Sequence, residues 1–207
     1  MNTGKGVIAL DADGVLLDYG TAYAGAWAKA FGELPALRDP HAYWPLDRWA
    51  VERLSGPRLD QFRAAFDEEF WSTVPAIEGA VAACERLVDA GYELVCISAL
   101  ESAFAEARRH NLEKLGFPLE GFIATGGQDG LVSPKAAAVR ELRPLAFVDD
   151  YLPYHRGMPE SVHKALILRD PVGSPNVGTE LENVDSQHHD LGAFSEWWVQ
   201  QRWPLRA

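Results

Sequence analysis

Short apolar runs recur along the chain, separated by segments whose apolar residues fall at helical spacing. Val7-Ile8-Ala9-Leu10, Tyr92 to Ser98, Leu145-Ala146-Phe147-Val148 and Lys164 to Leu168 read as buried strands. Gly20 to Phe31 reads as a short amphipathic helix, and Leu59, Phe62, Phe66 and Phe70 align on one face of a second over 58–71. A third runs from Ala76 to Ala90 and stops at Gly91. Ser133-Pro134-Lys135 opens another, with Ser133 as N-cap and Pro134 as the first helical residue. Gly192 to Gln201 reads as a terminal helix. Residues 38–49, rich in aromatics and prolines, suit a loop or one short helix, and Pro171 to His189 an exposed connection with one short edge strand. Strands alternating with helices predict an α/β fold built on a parallel sheet.

The chemistry gathers at the ends of those runs. The first delivers Asp11 and Asp13 onto Gly14, at the place where open α/β sheets bind ligands. Taken alone, Asp-Ala-Asp-Gly is as compatible with a turn as with a site. Two carboxylates so close repel one another, and either a hard divalent cation or a retained proton relieves them. The second run ends on the hydroxyl of Ser98, which suits either a loop cap or a phosphate donor. Lys135 falls near the positive end of its helix, a poor place for a decorative cation and a good one for meeting anions. The run at Leu145 ends in adjacent acids, Asp149 and Asp150.

In this order the motifs resemble those of the haloacid dehalogenase superfamily of phosphatases and related hydrolases. Asp11-Ala12-Asp13-Gly14-Val15-Leu16 matches its first motif, Ser98 its second, Lys135 its third and Asp149-Asp150 its fourth. The resemblance covers roughly residues 5 to 170 and implies a Rossmann-like three-layer core with an inserted α-helical cap. The core would comprise residues 1–17 and 75–207, and the cap residues 18–74. It implies that Asp11 is the nucleophile and Asp13 the general acid and base. Ser98 and Lys135 would hold the phosphoryl oxygens. Asp11, the backbone carbonyl of Asp13 and one acid of Asp149-Asp150 would bind Mg²⁺. The implied activity is Mg²⁺-dependent hydrolysis of a small phosphorylated metabolite through an aspartyl phosphate. A phosphomutase uses the same motifs, whereas a dehalogenase is disfavoured by the acid at Asp13, because a departing halide needs no proton. A noncatalytic binding domain would not be expected to keep all four motifs. Phe70-Trp71-Ser72-Thr73-Val74-Pro75, leading to Gly79-Ala80, looks like the cap-to-core junction of the deoxyribonucleotidase branch. That makes a nucleoside monophosphate a candidate beside phosphosugars and phosphoglycolate-like acids, with Phe70 and Trp71 serving either the base or the cap's own core.

Composition narrows the partners. The chain has 207 residues, 47% hydrophobic and 24% charged, enough for one α/β core carrying an insert. A formal charge of −11 disfavours nucleic-acid polymers and anionic membranes, both of which demand clustered cations. No secretory signal or membrane-spanning run is visible, which leads to the expectation of a cytoplasmic protein. Cys84 and Cys96 fall on apolar faces and are expected as buried hydrophobes. His188-His189 lacks a third ligand at suitable spacing and is expected as an exposed loop pair.

Overall fold

The computed structural model describes residues 5–201. Six strands form one parallel sheet: β1 (Val7–Leu10), β2 (Glu93–Ser98), β3 (Gly121–Ala124), β4 (Ala146–Asp149), β5 (His163–Ile167) and β6 (Ser186–His188). Their spatial order is β3-β2-β1-β4-β5-β6, so β1 lies at the centre and the chain reverses direction of travel across it. In such a sheet the crevice between β1 and its two neighbours, outside their C-terminal ends, is the natural ligand site. Ile8 pairs with Leu94 on one side and Ala146 on the other, and that register brings the ends of β1, β2 and β4 level.

Strand alternation sorts the residues of β1 onto two faces. Ile8 and Leu10 join the larger apolar cluster with α5 (Ala80–Asp89) and α8 (Leu191–Gln200), through Cys84, Leu87, Phe194 and Trp198. Ala9 joins a smaller cluster on the opposite face with Ala136 and Val139 of α7 (Ala136–Leu142). Helices on both faces of a parallel sheet make the expected three layers. Cys84 and Cys96 are buried free thiols within them.

Between β1 and β2 lie α1 (Tyr19–Phe31), α2 (Pro45–Arg48), α3 (Gly56–Arg63) and α4 (Glu68–Trp71), before α5. The run over 58–71 is not one helix. Asp67 caps α4 by accepting from Phe70 N at 3.1 Å, and this capping bond breaks the run in two while Phe62 and Phe70 stay buried. Rings of Tyr23, Trp27 and Phe62 pack edge to face and belong to the same continuous cluster as Ile8 and Leu10. The third expected helix also starts late. Ile77 N donates to Leu16 O at 2.9 Å and Gly79 takes φ +78°, so α5 begins only at Ala80. Two elements carried no clear signal: α6 (Ala105–Lys114) and β3. The pair at 188–189 also differs from expectation. His188 ends β6 and packs its ring on Phe194 and Trp197, while His189 is exposed against Asp190. Among the described residues no helix is long and apolar enough to cross a membrane.

Candidate active site

The chain leaves β1 through a compact turn. Asp11 N still donates to Val148 O at 2.9 Å, continuing the ladder with β4 by one residue. Leu16 N and Leu17 N then both reach back to Ala12 O, and Gly14 N to Leu17 O, each at 2.9 Å. This folding places Asp11 and Asp13 at the rim of the sheet. Gly14 occupies φ +87°, the conformation the turn requires and side chains resist.

Lys135 lies beneath this turn with none of its surface exposed. Its Nζ is 2.6 Å from Asp11 Oδ1 and 2.7 Å from Asp149 Oδ2. Ser133 does not cap α7 as expected: its hydroxyl accepts from Lys135 N at 3.2 Å in a turn, and Lys135 itself occupies the N-cap position. Burial works against the ammonium, but the Asp11 and Asp149 carboxylates outweigh it and raise its pKa, so Lys135 stays charged. Burial also raises Asp11 well above the ordinary carboxylate range, with Asp149 adding repulsion and Lys135 opposing. Asp149 is pushed up to about 6 by burial, partly offset by Lys135.

The two acids of the β4 motif face different partners. Asp149, the last residue of β4, holds Lys135 through Oδ2 and accepts from Tyr151 N through Oδ1 at 2.9 Å. Asp150 lies beyond the strand, faces the cavity and pairs through Oδ2 with Arg169 Nε at 2.5 Å. The backbone of this corner is fixed by Asn176, whose Nδ2 donates to Asp150 O at 2.7 Å and whose Oδ1 accepts from Leu152 N at 2.8 Å.

Carboxylate oxygens of Asp11, Asp149 and Asp150 come within 4.8 Å of one another. An all-oxygen acidic set of this kind suits a hard divalent cation such as Mg²⁺. The described partners fall on Oδ1 of Asp11 and Oδ2 of Asp150, leaving the second oxygen of each carboxylate for a metal. The donor set therefore fits the ion.

The motif residues by themselves set four acids, Asp11, Asp13, Asp149 and Asp150, against one cation, Lys135. The fold instead supplies three. Besides Lys135, Arg169 meets Asp150, and Arg108 of α6 meets Asp13 with Nη2 2.8 Å from Oδ1 and 3.1 Å from Oδ2. Neither arginine carries a sequence signal, since each reads as an ordinary surface charge until the fold brings distant segments together.

A cavity of about 500 Å³ opens above these groups. Asp11, Asp13, Ser98 and Asp150 form its floor; Tyr19, Tyr43, Trp44, Trp71, Tyr151 and Tyr154 line it. Ser98 is buried at the end of β2, its hydroxyl accepting from Leu100 N at 3.3 Å. Trp71 thus reaches the cavity whereas Phe70 closes the apolar cluster.

A central parallel strand tipped by Asp11 and Asp13, flanked by strands ending in Ser98 and Asp149 with Lys135 beneath, defines a haloacid dehalogenase-like hydrolase. Solved structures share the fold. A haloacid dehalogenase family hydrolase from Deinococcus radiodurans R1, with bound phosphate and sodium, aligns with TM-score 0.62 and 17% identity over 93% of this chain and 96% of its own. A predicted phosphoglycolate phosphatase from Haemophilus somnus aligns with TM-score 0.61 and 12% identity over 93% and 97%. A dehalogenase with an intermediate complex aligns with TM-score 0.59 and 15% identity over 97% and 98%. At these identities the likeness is one of fold, and it spans several chemistries. No curated protein matches the chain. The chain belongs to the family described as 5' nucleotidase, deoxy (pyrimidine), cytosolic type C protein, which matches residues 5–119, more than half of its length. It is accordingly a phosphatase of the haloacid dehalogenase-like superfamily, acting on a phosphorylated substrate.

Proposed function

We propose that this phosphatase is a Mg²⁺-dependent phosphomonoesterase acting on a nucleoside monophosphate. The observation that carries this reading is the cavity itself, with acids and a hydroxyl at its floor and six aromatic side chains lining it. A base entering such a cavity gains about 1–3 kcal/mol per stacked aromatic. A phosphosugar has no π-face to offer. Family membership points the same way.

In this reading a carboxylate oxygen of Asp11 attacks phosphorus as the bond to the leaving oxygen breaks, and Asp13 gives that oxygen its proton. The alcohol departs. Asp13 then takes a proton from water, whose oxygen attacks phosphorus, releasing phosphate and restoring Asp11. The Ser98 hydroxyl donates to a phosphoryl oxygen, and Lys135 supplies positive charge from beneath Asp11. Asp11, the carbonyl of Asp13 and Asp150 would hold Mg²⁺, with Asp149 orienting Lys135. When bound, the ion offsets the negative charge of the phosphoryl oxygens. Residues 1–17 and 75–207 form the core in this reading, and residues 18–74 the cap. The cap contributes Tyr19, Tyr43, Trp44 and Trp71 to the cavity and shields the acyl phosphate from stray water.

Two measurements test it. Released phosphate and product identity on a nucleoside monophosphate separate hydrolysis from phosphoryl return to a sugar. Comparison of kcat/KM with the matching pentose phosphate isolates the base, which is expected to add at least about tenfold, or about 1.4 kcal/mol. Equal values for the two substrates would return the aromatic residues to a purely structural role.

A further inference from the structure

Arg108 is a fully buried charge outside the motif residues. It sits in α6, and none of its side chain is exposed. Its guanidinium centre lies 4.9 Å from the Trp71 ring centroid, and Nη2 bridges the two oxygens of Asp13. Nε and Nη1 are buried without a hydrogen-bond partner. Leaving donors unpaired in a buried charge costs free energy that packing alone does not justify. The arrangement is nevertheless anchored on both sides. Asn111, one turn further along α6 on the same face, donates from Nδ2 to Val74 O at 2.8 Å and ties the helix to the segment that carries Trp71.

Asp13 is the contrasting partner, with 28% of its side chain exposed toward the cavity. Free of Arg108, its carboxyl would rotate about χ2 with a nearly flat preference. The Nη2 bridge removes that freedom and fixes which edge of the carboxyl faces the substrate. Stacking on Trp71 in turn prevents the guanidinium from swinging out into the cavity.

We infer that Arg108 is a positioning residue that orients the Asp13 carboxyl for proton transfer to the leaving oxygen. The inference rests on the acid role proposed for Asp13. It makes Arg108 matter in proportion to how much the leaving group needs a proton. An alkoxide leaving from a nucleoside monophosphate needs one; p-nitrophenolate leaves almost unaided.

The experiment measures kcat and KM of Arg108→Met, Arg108→Lys, Asp13→Asn and the Arg108→Met/Asp13→Asn double variant on a nucleoside monophosphate and on p-nitrophenyl phosphate. Arg108→Met is expected to lower kcat on the nucleotide by about 10- to 100-fold, less than the whole acid contribution, with KM within about twofold. On p-nitrophenyl phosphate the loss is expected to stay below about threefold. Lysine, which keeps a buried cation, is expected to recover part of the loss. In the double variant Arg108→Met is expected to add nothing, since there is no acid left to orient. If Arg108→Met does not fold, Arg108→Lys is read by the same leaving-group ratio. Equal losses on the two substrates, or additive losses in the double variant, would overturn the positioning role. If Asp13→Asn itself shows no leaving-group preference, the acid assignment falls; if it does and the Arg108 variants do not, only this inference falls.

Discussion

Gly14 and Asp150 approach so closely that the first allows no side chain: a Cβ on Gly14 would stand 2.2 Å from Asp150 Oδ2 and 2.7 Å from Arg169 Nε. The turn after β1 and the corner after β4 are therefore one structure, in which the bare backbone of Gly14 makes room for the Asp150–Arg169 pair. Gly14→Ala is expected to displace that pair and to strain a φ of +87°, at about 1–3 kcal/mol of stability for the backbone strain alone. Urea unfolding and turnover are the measurements, and both are expected to fall. Unchanged values would mean that Asp150 and Arg169 relocate freely.

Asp11→Asn is expected to abolish turnover while leaving the unfolding midpoint close to that of the parent. The amide keeps the shape but lacks an anionic oxygen to attack phosphorus. Burial and the nearby Asp149 already press against the Asp11 charge, so removing it offsets part of what the lost Lys135 contact costs. Near-normal turnover in a clean preparation would remove Asp11 from the nucleophile's role.

These expectations grow from residues legible without coordinates, and the reason is physical. The strands β1, β2, β4 and β5 are buried on both faces, which forces near-continuous apolar runs, and the motif residues stand at their ends. Arg108 and Arg169 escaped because a charge in a polar helix or loop looks solvated, and Arg108 meets Asp13 only across 95 positions of chain. Nor could the adjacent pair Asp149-Asp150 be divided by pattern alone. Asp149 remains in register with Leu166 and holds Lys135, whereas Asp150, one residue beyond, faces the cavity. The break between α3 and α4 did have a readable sign, an Asp three residues before Phe70, overridden by the regular spacing of Phe62, Phe66 and Phe70.

The proposed metal dependence rests on the carboxylates of Asp11 and Asp150, which lie together with that of Asp149. Chelation with EDTA is expected to stop turnover and added Mg²⁺ to restore it. Direct titration by calorimetry is expected to show one Mg²⁺ site that Asp150→Asn weakens by at least about tenfold, or about 1.4 kcal/mol. Full activity in a chelated sample would contradict this assignment.

Removing Lys135 tests the buried ionic cluster rather than the chemistry. Lys135→Met leaves Asp11 and Asp149 buried without their common partner, a change that costs about 3–5 kcal/mol when one member of a buried pair is lost. Adding Asp149→Asn removes one stranded charge, so the double variant is expected to be more stable than Lys135→Met alone. Unfolding in chelator, where no metal substitutes for the ammonium, gives the comparison. Simple additivity of the two losses would show that the three groups are not coupled.

The last expectation concerns acid. His155 is buried in the turn after β4, its ring 5.4 Å from that of Phe147, and burial pushes its pKa down to about 3. An unfolded chain takes up a proton on the same imidazole near 6.5, so between these values the unfolded state binds more protons than the folded one. Stability therefore rises with pH through this window and is progressively lost as pH falls from about 6.5 toward 3, at up to about 1.4 kcal/mol for each pH unit. Asp149 works in the opposite sense: its carboxyl, raised to about 6 in the fold, favours the folded state in acid and loses that advantage as pH rises. Subtracting a His155→Phe variant from the parent separates the two, because Asp149 is common to both. The unfolding free energy at pH 7 minus that at pH 5 is expected to be more positive for the parent than for His155→Phe. Parallel slopes would mean that the imidazole takes its proton inside the fold as readily as outside it.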